Sequence, residues 1–259
     1  MKDKINKMNM QNFLKYLVLL LCLFISLSAL KAQSDTSKQY KNVIRYNLSG
    51  ALVFGIDKYI VFGYERVLKP NQSFSVNFGK AALPKLVTIV TDSFTLSKDV
   101  KNTGFNFSAD YRFYLKKENK FLAPHGFYIG PYYSFNQFNR DNRLDVKNSS
   151  GNSILTTNSK LIIHTIGFEL GYQLFLGKHF TLDLLMVGPG LGFYTYNVKF
   201  DGSIDPAKKE QIQEALKQML TQKFPGMNYV FSEKQLDANG HVSTATLGYR
   251  YLVQIGYAF

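Results

Sequence analysis

The sequence predicts an all-β fold: an eight-stranded antiparallel up-and-down transmembrane β-barrel with one short helix in its last outer loop. Three observations lead there. Leu247, Tyr249, Tyr251, Val253, Ile255, Tyr257 and Phe259 occupy alternate positions of the last segment, with mostly small or polar residues between them. Successive side chains on a strand point to opposite faces, so one face of this segment is greasy and the other is not. Aromatic residues make up 15% of the 259 residues, with 17 Tyr, 22 Phe and no Trp. Yet beyond residue 32 no stretch approaches the roughly 18 continuous apolar residues of a spanning helix. The beginning of the chain reads as an export leader.

That leader has a positive start in Lys2, Lys4, Lys7 and Lys15, an apolar stretch from Tyr16 to Leu30, and Lys31-Ala32-Gln33 after it. Cleavage is expected near Ala32. The division is then 1–32 signal peptide, 33–42 linker and 43–259 barrel. A lipoprotein signal ending at Cys22 is the rival, but Leu19-Leu20-Leu21 lacks the small residues that normally precede an acylated cysteine. Removing 1–32 takes away the one cysteine, five lysines and one aspartate, so the formal charge of +13 becomes about +9. The remaining chain could form no disulfide. Its basic balance suits anionic lipid headgroups. No basic cluster interleaved with stacking aromatics points to nucleic acid.

The strands follow in order. Strand one, 43–54, sets Ile44, Tyr46, Leu48, Leu52 and Phe54 against Arg45, Asn47 and Ser49. Residues 55–58 are a tight turn. Strand two, 59–68, has Ile60, Phe62 and Tyr64 on one face, Gly63 and Glu65 on the other. Lys69-Pro70-Asn71-Gln72 is turn chemistry. Strand three, 73–80, alternates Phe74, Val76 and Phe78 with Ser75, Asn77 and Gly79. A loop over 81–102 leads to strand four, where Phe105, Phe107, Ala109, Tyr111 and Phe113 oppose Asn106, Ser108, Asp110 and Arg112. A charged turn, 116–126, precedes strand five, 127–138. A polar loop is expected over 139–159, then strand six, 160–176, with Ile162, Ile166, Phe168, Leu170 and Tyr172 against Thr165, Gly167, Glu169 and Gln173. Strand seven, 180–200, slips phase at Gly188-Pro189-Gly190, the mark of a bulge or kink. The longest loop, 201–240, leads to the closing strand. With both ends on the periplasmic side, the inner turns are mostly short and the outer loops longer.

Volume orients the faces. Each strand carries several large apolar side chains, while an eight-stranded barrel has an interior barely wide enough for side chains. The greasy face is therefore expected outside. The inside then holds Arg45, Glu65, Asp110, Arg112, Glu169, Asp183 and Arg250, three cations and four anions. Unpaired charge in a narrow lumen is expensive, so these seven read as a salt-bridged structural network that plugs the barrel.

Sites for chemistry are sparse. His125, His164, His179 and His241 show no metal-ligand spacing, and no cofactor is expected. His164 lies on the lipid side near Ser159, the nearest approach to a lipid-hydrolase pairing, without a nucleophile motif around the serine. In the last loop Asp205 can cap a helix and Pro206 suits its first position. Ile212, Leu216, Met219 and Leu220 form an apolar stripe at helical spacing.

The chain resembles the small eight-stranded outer-membrane β-barrel families of Bacteroidota-type bacteria, similar at a distance to the outer-membrane protein A barrel, several of them domains of unknown function. The segments carrying the likeness are Asn42-Val43-Ile44, Tyr64-Glu65-Arg66-Val67-Leu68, Asp110-Tyr111-Arg112-Phe113-Tyr114-Leu115, Gly126-Phe127-Tyr128-Ile129-Gly130-Pro131, Gly188-Pro189-Gly190-Leu191-Gly192 and the closing strand. Tyr257 and Phe259 resemble the assembly signal of such barrels. The resemblance implies a Gram-negative outer membrane, outer-membrane lipid and lipopolysaccharide around the barrel, and the barrel assembly machinery as a partner. The function expected is non-enzymatic: a structural, adhesive or partner-binding barrel acting through its outer loops, toward an extracellular or periplasmic protein. The alternatives are a narrow ion or small-solute pore, a lipid-modifying enzyme, and a soluble periplasmic ligand-binding barrel.

Overall fold

A computed structural model describes residues 40–83, 94–117, 119, 121–148, 151–201, 210, 213, 214, 217 and 240–259. The expected leader and most of the linker lie outside these residues. Ten strands form one antiparallel sheet: β1 Asn42–Asn47, β2 Tyr59–Lys69, β3 Gln72–Ala81, β4 Phe94–Tyr114, β5 Gly126–Asn148, β6 Gly151–Leu176, β7 Phe180–Val187, β8 Pro189–Asp201, β9 His241–Tyr249 and β10 Leu252–Ala258. β7 and β8 are one stave broken at Gly188, and β9 and β10 one stave broken at Arg250-Tyr251. The breaks lie side by side, since the Arg250 amide donates to the Gly188 carbonyl at 2.8 Å. Eight staves result. β10 pairs with β1, from Val43↔Ala258 to Asn47↔Gln254, and closes the cylinder.

Four stretches differ from the sequence expectation. Residues 94–102, expected within the loop 81–102, are the upper end of β4, paired with β5 from Phe94↔Val146 to Asn102↔Arg140. Residues 139–148 and 151–159 are not a loop but the outer ends of β5 and β6, paired continuously from Gly126↔Gln173 to Asn148↔Gly151. Their polar composition reflects a hairpin standing beyond the greasy part of the wall. Strand one stops at Asn47, and Leu48–Phe54 is a helix, α1. The alternation of Leu48, Leu52 and Phe54 mimics a strand, but the capping signals win. The Asn47 side chain accepts from the Gly50 amide at 2.9 Å, and Gly55 ends the helix at φ +102°. The helix expected in the last loop is present in the residues described there, with Glu210, Gln213, Glu214 and Lys217 helical. The stripe Ile212, Leu216, Met219 and Leu220 lies outside the described residues.

The apolar face is outside. Phe62, Phe78, Ile166, Phe168, Leu247, Tyr251 and Ile255 are all exposed. This outer apolar surface forms a band with a sharp upper edge. On β5 the outward row runs Phe127, Ile129, Tyr133, Phe135, then turns polar at Gln137, Asn139 and Asp141. The neighbouring staves turn polar within one residue pair of that height: Lys80 and Gln137 both pair with Phe105, while on β6 Ile162, opposite Gln137, is followed by Lys160 opposite Asn139. Rings touch along this edge: Phe78–Phe105 at 6.2 Å, Phe105–Phe135 at 5.3 Å and Phe135–His164 at 4.8 Å. A second aromatic group marks the lower edge, with Phe127–Tyr172 at 4.6 Å and His179–Tyr257 at 5.1 Å. The roughly eight residue steps between the edges rise about 3.3 Å each. At a tilt of ~40° they span about 20 Å before the girdle side chains are added.

The turns at the lower end close it. The Ala123 amide donates to the Pro70 carbonyl at 2.8 Å, and Val67, Tyr114, Ala123 and Tyr128 form a buried apolar floor. His125, in the turn before β5, stacks on Phe121 at 4.3 Å and meets Phe175 at 5.4 Å. Burial there pulls its imidazole down to about 4, so the folded state favours the neutral ring. Above pH 6.5 the ring is neutral folded or unfolded and costs nothing. As pH falls from about 6.5 toward about 4, the unfolded chain takes up a proton that the folded one refuses, and stability drops. His125→Phe is expected to flatten that part of the stability–pH curve in urea titrations followed by gel mobility.

Candidate functional site

The lumen is layered, and strand alternation dictates the layers. Above the apolar floor lies a charged layer containing Arg45, Glu65, Asp110, Arg112, Glu169, Asp183 and Arg250, all buried. Arg112 is its hub. Its Nε lies 2.7 Å from Asp110 and its Nη1 2.8 Å from Asp183, with Glu65 and Glu169 each at 3.8 Å. The guanidinium sits 4.2 Å above the Tyr128 ring. Arg45 donates to Asp183 at 2.5 Å, lies 3.5 Å from Glu65 and bonds Ser75. Arg250, aimed inward by the stave break, meets Glu169 at 3.0 Å and Asp110 at 3.5 Å, and stands 5.1 Å over the Tyr132 ring. A planar, always charged guanidinium suits each position, because it serves several carboxylates and still stacks on an aromatic face.

Neutral side chains complete the network. The Ser73 and Tyr114 hydroxyls donate to Glu65 at 2.5 and 2.8 Å, and the Tyr128 hydroxyl donates to Asp183 at 2.7 Å. Alternation puts Tyr114, Tyr128 and Tyr132 inside. Nothing in the sequence says that they stack on arginines or bond carboxylates. An inward glycine stands opposite two of these rings, Gly171 opposite Tyr128 and Gly167 opposite Tyr132, while Tyr114 is paired with Tyr128 itself. A Cβ on Gly171 would collide with Tyr128, and one on Gly167 or Gly190 with Tyr132. Gly171→Val is therefore expected to destabilise the barrel by about 1–3 kcal/mol, as overpacking does, read as a lower urea midpoint.

Over the charged layer lies a cavity of about 330 Å³. Its floor is Arg250 and Tyr132, and its wall is a ring of neutral polar groups that includes Asn77, Asn106, Ser108, Ser134, Asn136 and Thr165. Asn77 donates to Ser108 at 3.1 Å and Asn106 to Asn136 at 2.8 Å. Above it Phe138, Leu161, Tyr196 and Val242 are buried and joined by register across four staves, Phe138↔Leu161↔Tyr196↔Val242.

The remaining candidates lie elsewhere. His164 points outward and its Nδ1 is 2.8 Å from the Tyr133 hydroxyl. Ser159 is buried, 3.4 Å from the Tyr196 hydroxyl. Five residues apart on one strand, the two occupy opposite faces and make no pair. His179 Nδ1 is 2.9 Å from the Ala258 carbonyl, and His241 Nδ1 is 2.6 Å from Asn197. Among the described residues no three His, Cys, Asp or Glu side chains cluster as metal ligands. Tyr257 lies against His179 and Phe180 on the outer surface, while Phe259 exchanges backbone hydrogen bonds with Asn42 at 2.9 and 3.1 Å.

Comparison with known proteins returns one finding. The pattern of a family described as "Protein of unknown function (DUF3575)" matches residues 62–231. No curated protein and no solved structure matches this chain.

Proposed function

From the premise that the chain belongs to the DUF3575 family, whose description carries no activity, we propose that it is a sealed integral barrel of a Gram-negative outer membrane that presents its outer hairpin and loops to a partner. The observation that carries this reading is the outer apolar band. Its ~20 Å height, extended by girdles of aromatic rings, suits the roughly 25 Å apolar surface of outer-membrane barrels. Closure leaves no lipid-facing edge along the lower half. An export leader over residues 1–32, ending near Ala32, would deliver the chain to the assembly machinery, with Tyr257 and Phe259 as its signal.

Sealing follows from the lumen. An ion crossing it would have to displace Arg112 from four carboxylates within 3.8 Å. The purified barrel is expected to give no conductance above background in planar bilayers, and steady unitary currents would replace this reading with the narrow pore.

Presentation follows from the hairpin. The β5–β6 ends continue for about ten residues beyond the band, with Asn139, Asp141, Arg143, Asn158 and Lys160 on their outer face. That leaves a stiff polar surface standing clear of the lipid. In intact cells a membrane-impermeant maleimide is expected to label Asp141→Cys and not Lys178→Cys, which sits in the lower turn. The reverse pattern would invert the orientation, and labelling of neither would remove the surface role.

A further inference from the structure

We propose that the cavity above the charged layer is a binding site for an uncharged, single-chain amphiphile, reached sideways through a seam in the barrel wall that α1 covers. The proposal rests on the membrane reading above.

The seam is a consequence of the helix. Stave one leaves the wall at Asn47, whose last partner on the closing stave is Gln254. Above that level β9 pairs with β8, and no described strand pairs with its other edge. On the far side of the gap, β2 loses its β1 partner above Phe62. The gap begins inside the apolar band and runs up past Tyr251 and Tyr249 toward Leu247, facing the outer leaflet.

α1 fills the gap without a backbone ladder. Its described link to the closing stave is one hydrogen bond, from the Val253 amide to the Ser49 hydroxyl at 3.2 Å. Toward β2 it packs Phe54 on Tyr59 at 5.4 Å and presses Gly50 on the same ring, where a Cβ would clash. Leu52 is 69% exposed and Val53 58%. An apolar segment of seven residues, lightly bonded at one edge and lipid-facing, is a wall element that can swing.

The cavity lies directly behind it. One lip contributes Val53 and Phe54 to the lining, the other Tyr249, Tyr251 and Leu252. Below, the cavity ends on Arg250 and its carboxylate partners, and Phe138 and Leu161 line its upper part. Ligand chemistry follows from the lining. The charged group there is Arg250, already committed to Glu169 and Asp110. What remains is amide and hydroxyl groups, which suit a neutral polar head, and a seam of aromatic and aliphatic residues, which suits a tail continuing into lipid.

The test uses the full chain folded in phosphatidylcholine vesicles. The native chain has no Trp, so single reporters are unambiguous. Phe138→Trp reports from the cavity and Phe168→Trp from the outer face. Brominated monoacylglycerol is expected to quench Phe138→Trp saturably, with half-saturation at least about tenfold below that of a brominated fatty acid. Adding Ser134→Leu, or Asn136→Leu should the first fail to fold by gel mobility, is expected to abolish the saturable phase. Gly50→Val, which forces the helix off Tyr59, is expected to speed its onset at least about threefold. Quenching that never saturates, that survives both filled variants or that favours the fatty acid overturns the site, and an unchanged onset overturns the gate. Brominated phosphatidylcholine reads the premise separately: Phe168→Trp left unquenched in a folded barrel defeats the membrane reading, whereas quenching there without saturation at Phe138 defeats only the cavity proposal.

Discussion

Replacing Arg112 by methionine is expected to cost the folded barrel about 3–5 kcal/mol, the range for removing one partner of a buried ion pair. The side chain is fully buried and touches both main acidic partners at hydrogen-bond distance, Asp110 at 2.7 Å and Asp183 at 2.8 Å. Without it, four buried carboxylates face two guanidiniums and the Tyr128 ring loses its cation. Lysine is not expected to rescue, because a single ammonium cannot serve both carboxylates and stack. Pairing Arg112→Met with Asp110→Asn is expected to recover part of the loss, since the net charge of the layer is restored. Urea unfolding followed by gel mobility measures all three variants. A loss below about 1 kcal/mol for Arg112→Met would mean that the layer is hydrated and loosely coupled.

The second large effect belongs to the outer face. Phe168 is 70% exposed and lies near the middle of the band. In water an arginine there would be harmless. In hydrocarbon it is expected to cost roughly 2–4 kcal/mol at the midplane, falling to about 0–1 near the interface. Phe168→Arg and Gln137→Arg, compared by refolding into the same vesicles, are expected to differ by at least about 2 kcal/mol. Equal stabilities would remove the lipid from around the band.

Much of the fold was legible, and the reason is specific. Strands two to four and six alternate without interruption, so Phe62, Phe107 and Phe168 sort from Glu65, Asp110 and Glu169 by parity alone. Three features escaped that rule. In 48–54 the alternation was genuine but the backbone obeyed Asn47 and Gly55 instead, which only a search for caps at both ends would have caught. In 139–159 polarity points to a loop, although a strand beyond the apolar band is free to be polar on both faces. The hub role of Arg112 depends on which staves face one another across the lumen, and parity carries no such information. The cavity was illegible for a related reason, as its lining joins α1 to staves that lie far apart in the sequence.

The central claim is that the greasy exterior of this cylinder meets hydrocarbon. Fractionation of cells expressing the full chain, followed by electrophoresis with and without boiling, tests it most directly. The barrel is expected in the outer-membrane fraction, resistant to alkaline extraction, with a band whose mobility changes on boiling. Recovery in the detergent-free soluble fraction, as a band of unchanged mobility, would contradict it.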